Sequence, residues 1–139
     1  MTLPAWVEGY RGRPFRRGSD GPDDYDCYGL VRAVLRNEFD ASTPTLDGIH
    51  TLGTRERLRI ALDSSDSPWR ECDGSLPGDV LAFRERELHV GVVVAPGWML
   101  HALEESRTTT ARFDRFPWLA LRIGAYRHRD VKQAPTLRP

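Results

Sequence analysis

Two kinds of hydrophobic pattern divide the chain. In the first half, apolar residues recur at helical spacing inside polar surroundings. Within residues 22–38, Leu30, Val31, Val34 and Leu35 follow one another at one-, three- and four-residue intervals. That spacing predicts an amphipathic helix, with Arg32, Arg36 and Asn37 on its polar side. Residues 3–10 predict a short first helix anchored by Trp6 and Val7. Residues 54–62 predict another, with Thr54 as N-cap and Leu58, Ala61 and Leu62 as its stripe. Residues 12–24 are punctuated by Gly12, Pro14, Gly18, Gly21 and Pro22 and predict a loop, as do the polar residues 40–50. From Trp69 the period changes to that of strands. Residues 79–83, 89–95, 98–103 and 119–126 read as strands, and Thr108–Thr110 starts another. Ala95, Pro96 and Gly97 make a turn between two of them. Helices first and antiparallel strands afterwards is the α+β order.

Length and charge narrow this picture. A chain of 139 residues predicts one domain, over residues 1–130, with residues 131–139 as a polar, two-proline, disordered tail. Its 20 basic and 20 acidic side chains cancel, which argues against a nucleic-acid partner. No apolar run approaches the ~18 residues of a membrane span, so membrane insertion is not expected. The first residues carry no apolar signal core, which predicts synthesis in the cytoplasm without a secretory signal. The two cysteines, Cys27 and Cys72, are expected to be free thiols.

Cys27 changes the picture most. It lies three residues before Leu30 and four before Val31, on the apolar stripe, at the start of the predicted helix. Unpaired N–H groups of a first helical turn favour a thiolate, and a protonated imidazole beside it would do so further. Asp24 and Asp26 put capping oxygens there and act in the opposite sense on the thiol. Gly29, two residues on, suggests a close approach by another backbone or a substrate. A lone buried cysteine is more often a small hydrophobe. A nucleophilic one needs a base within reach and a group to orient that base.

Four histidines are available. His50 sits in a polar loop and His128 in a basic stretch, and both read as solvated side chains. His89 and His101 are related by the hairpin between them. A three-residue turn at 95–97 sets Val94 opposite Trp98, Val92 opposite Leu100 and Gly91 opposite His101. His89 then shares a sheet face with His101, as a diagonal neighbour about 7–8 Å away, with Gly91 leaving space between them. Half-buried structural histidines would show the same pattern. A zinc site from two histidines and a cysteine lacks the usual ligand spacings, and no cofactor is expected.

In that order, the residues resemble the NlpC-type papain-like cysteine peptidases of bacterial cell-wall turnover. GRPFRRGSDGPDDYDCYGLV is similar to that family's loop and nucleophile helix, LPGDVLAFR to its Pro-Gly-Asp strand, and HVGVVVAPGWMLHA to its histidine hairpin. The resemblance implies an α+β, papain-like NlpC-type fold, with the nucleophile helix packed on an antiparallel sheet. It implies a Cys-His-His triad of Cys27 as nucleophile, His89 as base and His101 as the orienting residue. It also implies hydrolysis of peptidoglycan stem-peptide amides, typically between D-glutamate and the diamino acid. Asp26 matches a residue that contacts a substrate amine. Phe15 stands where the family often has tyrosine. Tyr28 follows the cysteine, where free-standing hydrolases more often have serine, so Asp26, Tyr28 and Phe15 are the substrate-binding candidates. Tyr28 and the ending GAYRHR are similar to the branch found in phage tails and gene transfer agents. That implies a virion-borne hydrolase with tail proteins as partners. The departure at Phe15 leaves open an inactive virion component of the same fold. An amidase of the same clan, cutting between sugar and peptide, is the other alternative.

Overall fold

A computed structural model of the protein describes residues 2–43, 67–85 and 87–132. The expected helix at 54–62, most of the loop at 40–50, His50 and residues 133–139 lie outside the described residues. The first element is a 3-10 turn, Ala5–Gly9, which buries Val7 as expected. The helix α1 spans Cys27–Phe39. Asp26 is its N-cap in an extended conformation and accepts from the Gly29 N–H at 2.6 Å. Asp40, in the left-handed region at φ 54°, ends it and donates its N–H to the Leu35 carbonyl. Aspartate tolerates that conformation better than most residues other than glycine.

Six strands follow: β1 (Trp69–Glu71), β2 (Val80–Glu85), β3 (Glu87–Ala95), β4 (Trp98–Ala102), β5 (Thr108–Arg112) and β6 (Arg122–His128). A short helix α2, Trp118–Leu121, precedes β6. The strands form one antiparallel sheet in the order β1-β6-β2-β3-β4-β5. The architecture is α+β, as the hydrophobic pattern predicts.

The pleat splits the core into two layers. Val80, Ala82, Leu88, Val90, Val92, Val94, Leu100 and Ala102 join the α1 stripe in one apolar cluster. Leu81, Phe83, Val93, Met99, Phe113 and Ala125 face the other way and are covered by Trp118 and Leu121. Both faces of β2–β4 are therefore buried, which explains why HVGVVVA reads as a continuous apolar run rather than an alternating one.

Several expectations need correcting. Residues 119–126 do not form one strand. Pro117 sets up a helical turn through Leu121, and the strand begins at Arg122. A short apolar run such as WLAL does not distinguish helix from strand by period. β1 was not foreseen and exists through pairing with β6, Trp69 opposite His128. Val131, expected to open a disordered tail, is buried in the α1 layer. His128 is not solvated either. It is 1% exposed, its ring meets Trp69 edge-on at 5.2 Å, and its Nδ1 accepts from the Asp130 N–H at 3.1 Å. The flanking arginines made the stretch look exposed, but alternation along β6 sends His128 inward.

Candidate active site

The loop before α1 is clamped to the helix start by backbone bonds. Asp26 accepts from Gly29 N–H with one carboxylate oxygen and from Gly18 N–H, at 2.7 Å, with the other. Its own N–H donates to the Ser19 carbonyl at 2.9 Å. That carbonyl crosses so close that a Cβ on Gly29 would stand 1.9 Å from it. The close approach foreseen at Gly29 is thus the backbone of this loop. The loop is held in turn along β5: Gly12 N–H donates to the Thr108 carbonyl and Thr108 N–H to the Arg13 carbonyl, both at 2.8 Å. Cys27 is the first residue of α1, 8% exposed, with its side chain in the α1 layer.

The hairpin carries the histidines as its arithmetic predicts, by a different local route. The turn is a two-residue Pro96–Gly97 link with Ala95 opposite Trp98, not Val94. A register shift between Val93 and Ala95 absorbs the extra residue as a bulge. Gly97, at φ 80°, supplies the left-handed conformation that such a turn and bulge need. The count is unchanged, so Val92 still faces Leu100. His89 Nε2 and His101 Nδ1 meet at 2.9 Å in a buried hydrogen bond. Gly91 gives the space: a Cβ there would stand 2.8 Å from the Met99 sulfur and 3.3 Å from the His101 Cβ.

His89 and His101 are 7% and 1% exposed, and alternate with the residues that face α1. The imidazoles therefore lie on the sheet face of Phe83, Met99 and Trp118. Cys27 opens α1 and packs in the α1 cluster, and His89 stands near the start of β3. Trp118 packs against both rings, 5.4 Å from His89 at 31° and 5.0 Å from His101 at 90°. Phe83 flanks His89 at 6.3 Å. Burial lowers His89 to about 4; for His101, burial and then the neighbouring His89 lower the value to about 3. Both rings are neutral at pH 7, which corrects the expectation of a protonated His89. With Nε2 of His89 engaged, Nδ1 is the nitrogen left for a further proton transfer.

The remaining candidates are placed differently. Tyr28 is buried, and burial pushes its hydroxyl up to about 12. It is a core side chain rather than one presented to a substrate. Phe15 is half-buried, packs on the α1 layer and bridges to Tyr25. Cys72 and Cys27 are both free thiols, and burial raises Cys72. Among the described residues, no group of three or more His, Cys, Asp or Glu side chains could hold a metal.

Sequence reasoning missed two residues. Asp79 of the Pro-Gly-Asp word is fully buried. It accepts from Arg127 Nε at 2.7 Å and Nη2 at 2.8 Å, and from Leu76 N–H at 3.0 Å, tying the entry of β2 to β6. An aspartate opening an apolar strand and an arginine within another were the available signals. Trp118 gave none, since nothing in RFPWLAL says which ring it will cover.

A family model, NlpC/P60, matches residues 12–127. The chain belongs to the NlpC/P60 family. The matched span runs from the clamped loop through β6, so it contains Cys27, His89, His101 and Trp118. Solved NlpC/P60 structures share the fold. A lipoprotein-like family member from Staphylococcus aureus superposes with a TM-score of 0.64 at 20% identity, over 88% of this chain and 38% of that one. NlpC1 from Trichomonas vaginalis gives 0.54 at 26%, over 91% and 42%. The NlpC/P60 domain of the peptidoglycan hydrolase SagA gives 0.57 at 18%, over 87% and 92%. The chain thus spans about two fifths of the first two proteins and nearly all of the isolated SagA domain. A comparison with curated proteins gives no match.

Proposed function

We propose that this chain is a cysteine peptidase that hydrolyses stem-peptide amide bonds of bacterial peptidoglycan, acting as a single domain. The observation that carries the reading is the buried His89–His101 hydrogen bond in an NlpC/P60 chain whose α1 begins at a cysteine. In this reading His89 Nδ1 takes the Cys27 proton as Sγ attacks the amide carbonyl. The protonated ring then gives that proton to the leaving amine, leaving a thioester. Water, deprotonated by His89, hydrolyses the thioester and restores the thiol. The role requires one tautomer: His89 donates Nε2–H to His101 Nδ1, and His101 keeps its own proton on Nε2. His101 then orients the base. The N-terminal end of α1 would favour the negative charge that develops on sulfur.

The bond between D-glutamate and the diamino acid is the proposed target, and carriage by a virion tail the proposed context. The second rests on Tyr28 after the cysteine and on the GAYRHR ending. Asp26 is proposed to meet a substrate amine with whatever acceptor capacity its two backbone donors leave.

Mass spectrometry of purified muropeptides, digested with the protein and with a Cys27→Ala control, tests the reading. Loss of the D-glutamyl amide in the wild-type digest alone supports it. Release at the sugar–peptide bond would assign an amidase instead. No turnover by the wild type would leave a structural component of the same fold.

A further inference from the structure

We propose that Trp118 is a positioning residue for this site: its indole clamps the His89–His101 pair in one orientation and keeps water off both rings. The inference rests on the peptidase reading for its consequence in turnover, but its physical content stands on the ring geometry.

A single hydrogen bond does not fix two imidazoles. Each ring can still turn about the Nε2···Nδ1 line, and the two planes lie 69° apart. The missing constraints come from aromatic faces. Trp118 lies at 31° to the His89 ring, close to stacked, and at 90° to the His101 ring, edge against face. Phe83 joins them as a third ring, at 37° to His89 and 5.0 Å from the indole. Offset and edge-on arrangements are the preferred geometries of such rings, and each has one favoured orientation. Among the described residues, these two side chains supply the ring contacts to the pair.

The chain brings Trp118 there from a distance. It is the first residue of α2, after Pro117, and it packs on Phe83 at 5.0 Å. One side of the indole meets the histidines, and the residue remains only half-buried. Its exposed neighbours Phe116 and Leu119 do not share this contact. Trp118 therefore stands between the imidazole pair and solvent. If it leaves, water reaches both rings, and the orientation that frees His89 Nδ1 is one among several.

The experiment combines two readouts on one set of variants. Imidazole proton and nitrogen resonances of His89 and His101 are titrated by NMR between pH 8 and 5. Steady-state hydrolysis of a muropeptide is followed on the same proteins. In the wild type neither ring should titrate above pH 5. In Trp118→Ala at least one should shift by a unit or more towards the ordinary value, while kcat/KM falls about tenfold to a hundredfold, mostly in kcat, as misoriented catalytic groups do. Trp118→Phe should restore most of both. Phe113→Ala, in the same apolar layer but without ring contact to the pair, should lower Tm and leave the titration where it was. If Trp118→Ala does not fold, Trp118→Leu keeps apolar volume without a flat face and should give the same shift. An unchanged titration in a folded Trp118 variant, or the same shift in Phe113→Ala, overturns the clamp. A wild type without turnover overturns the peptidase reading, while the NMR titration still decides the clamp.

Discussion

Lowering the pH should unfold this protein earlier than its balanced charge suggests, and the histidine pair sets how much. A histidine whose value is lower in the fold than in the unfolded chain is held neutral by folding. Its cost is absent above the unfolded value of 6.5 and grows as the pH falls towards the folded values of about 4 and about 3. At pH 5 an unfolded imidazole is nearly all protonated, whereas both folded rings remain mostly neutral. Over about 1.5 pH units at about 1.4 kcal/mol each, every such ring costs about 2 kcal/mol relative to neutral pH. The pair together costs about 4 kcal/mol, a large share of the 5–15 kcal/mol that holds a typical domain folded. Urea unfolding of the wild type at pH 7.5, 6 and 5, beside a His89→Gln/His101→Gln variant, isolates this contribution. His128, also lowered by burial, and all carboxylates act equally in both proteins and cancel. The wild type should lose about 4 kcal/mol more than the variant between pH 7.5 and 5. Parallel losses in the two proteins would show that the imidazoles are not held neutral, and the reasoning from burial would be wrong.

Other consequences are as direct. Asp79→Ala removes the partner of a bidentate arginine and the acceptor of Leu76 N–H. It should cost about 2–3 kcal/mol in urea unfolding, less than a fully buried pair because Arg127 is one-third exposed. Wild-type stability in that variant would mean the pair contributes nothing net. Gly29→Ala should cost about 3 kcal/mol or more, since its Cβ would overlap the Ser19 carbonyl and force the loop off the helix; a change in Tm within error would show that the loop moves freely.

The sequence made the site legible where local rules decide. The apolar stripe placed Cys27 on α1, the acidic residues before it supplied the cap, and residue counting through 95–97 put His89 and His101 on one face. That count survived a wrong turn type because a two-residue turn plus one bulged residue is equivalent, in parity, to a three-residue loop. Long-range pairing was not legible. β1 exists only because β6 lies beside it, His128 is buried only because Trp69 covers it, and Trp118 reaches the histidines only after α2 folds over β2. Alternation says which residues share a face, but the helix that covers that face has to be seen.

The burial of the imidazole pair bears on how the thiol is activated. A preformed thiolate beside an imidazolium would require His89 to hold a proton at rest. Its burial among Phe83, Trp118 and His101 opposes this, and both rings are neutral at pH 7. In the proposed mechanism the pair then rests as a thiol and a neutral base, and the proton moves only as sulfur attacks. The α1 N-terminus favours the anion once it forms, but the half-buried carboxylate of Asp26 and the low polarity of the α1 layer act against it beforehand. Iodoacetamide separates the two mechanisms, because its rate follows the thiolate. A preformed pair gives a rate that is flat from pH 6 to 8. A resting thiol gives a rate that climbs about tenfold per unit over that range. Cys27 should climb, and should still react faster than Cys72, whose burial raises its thiol. A flat profile would mean that His89 is protonated in the resting fold, and the neutral-pair mechanism would have to be abandoned.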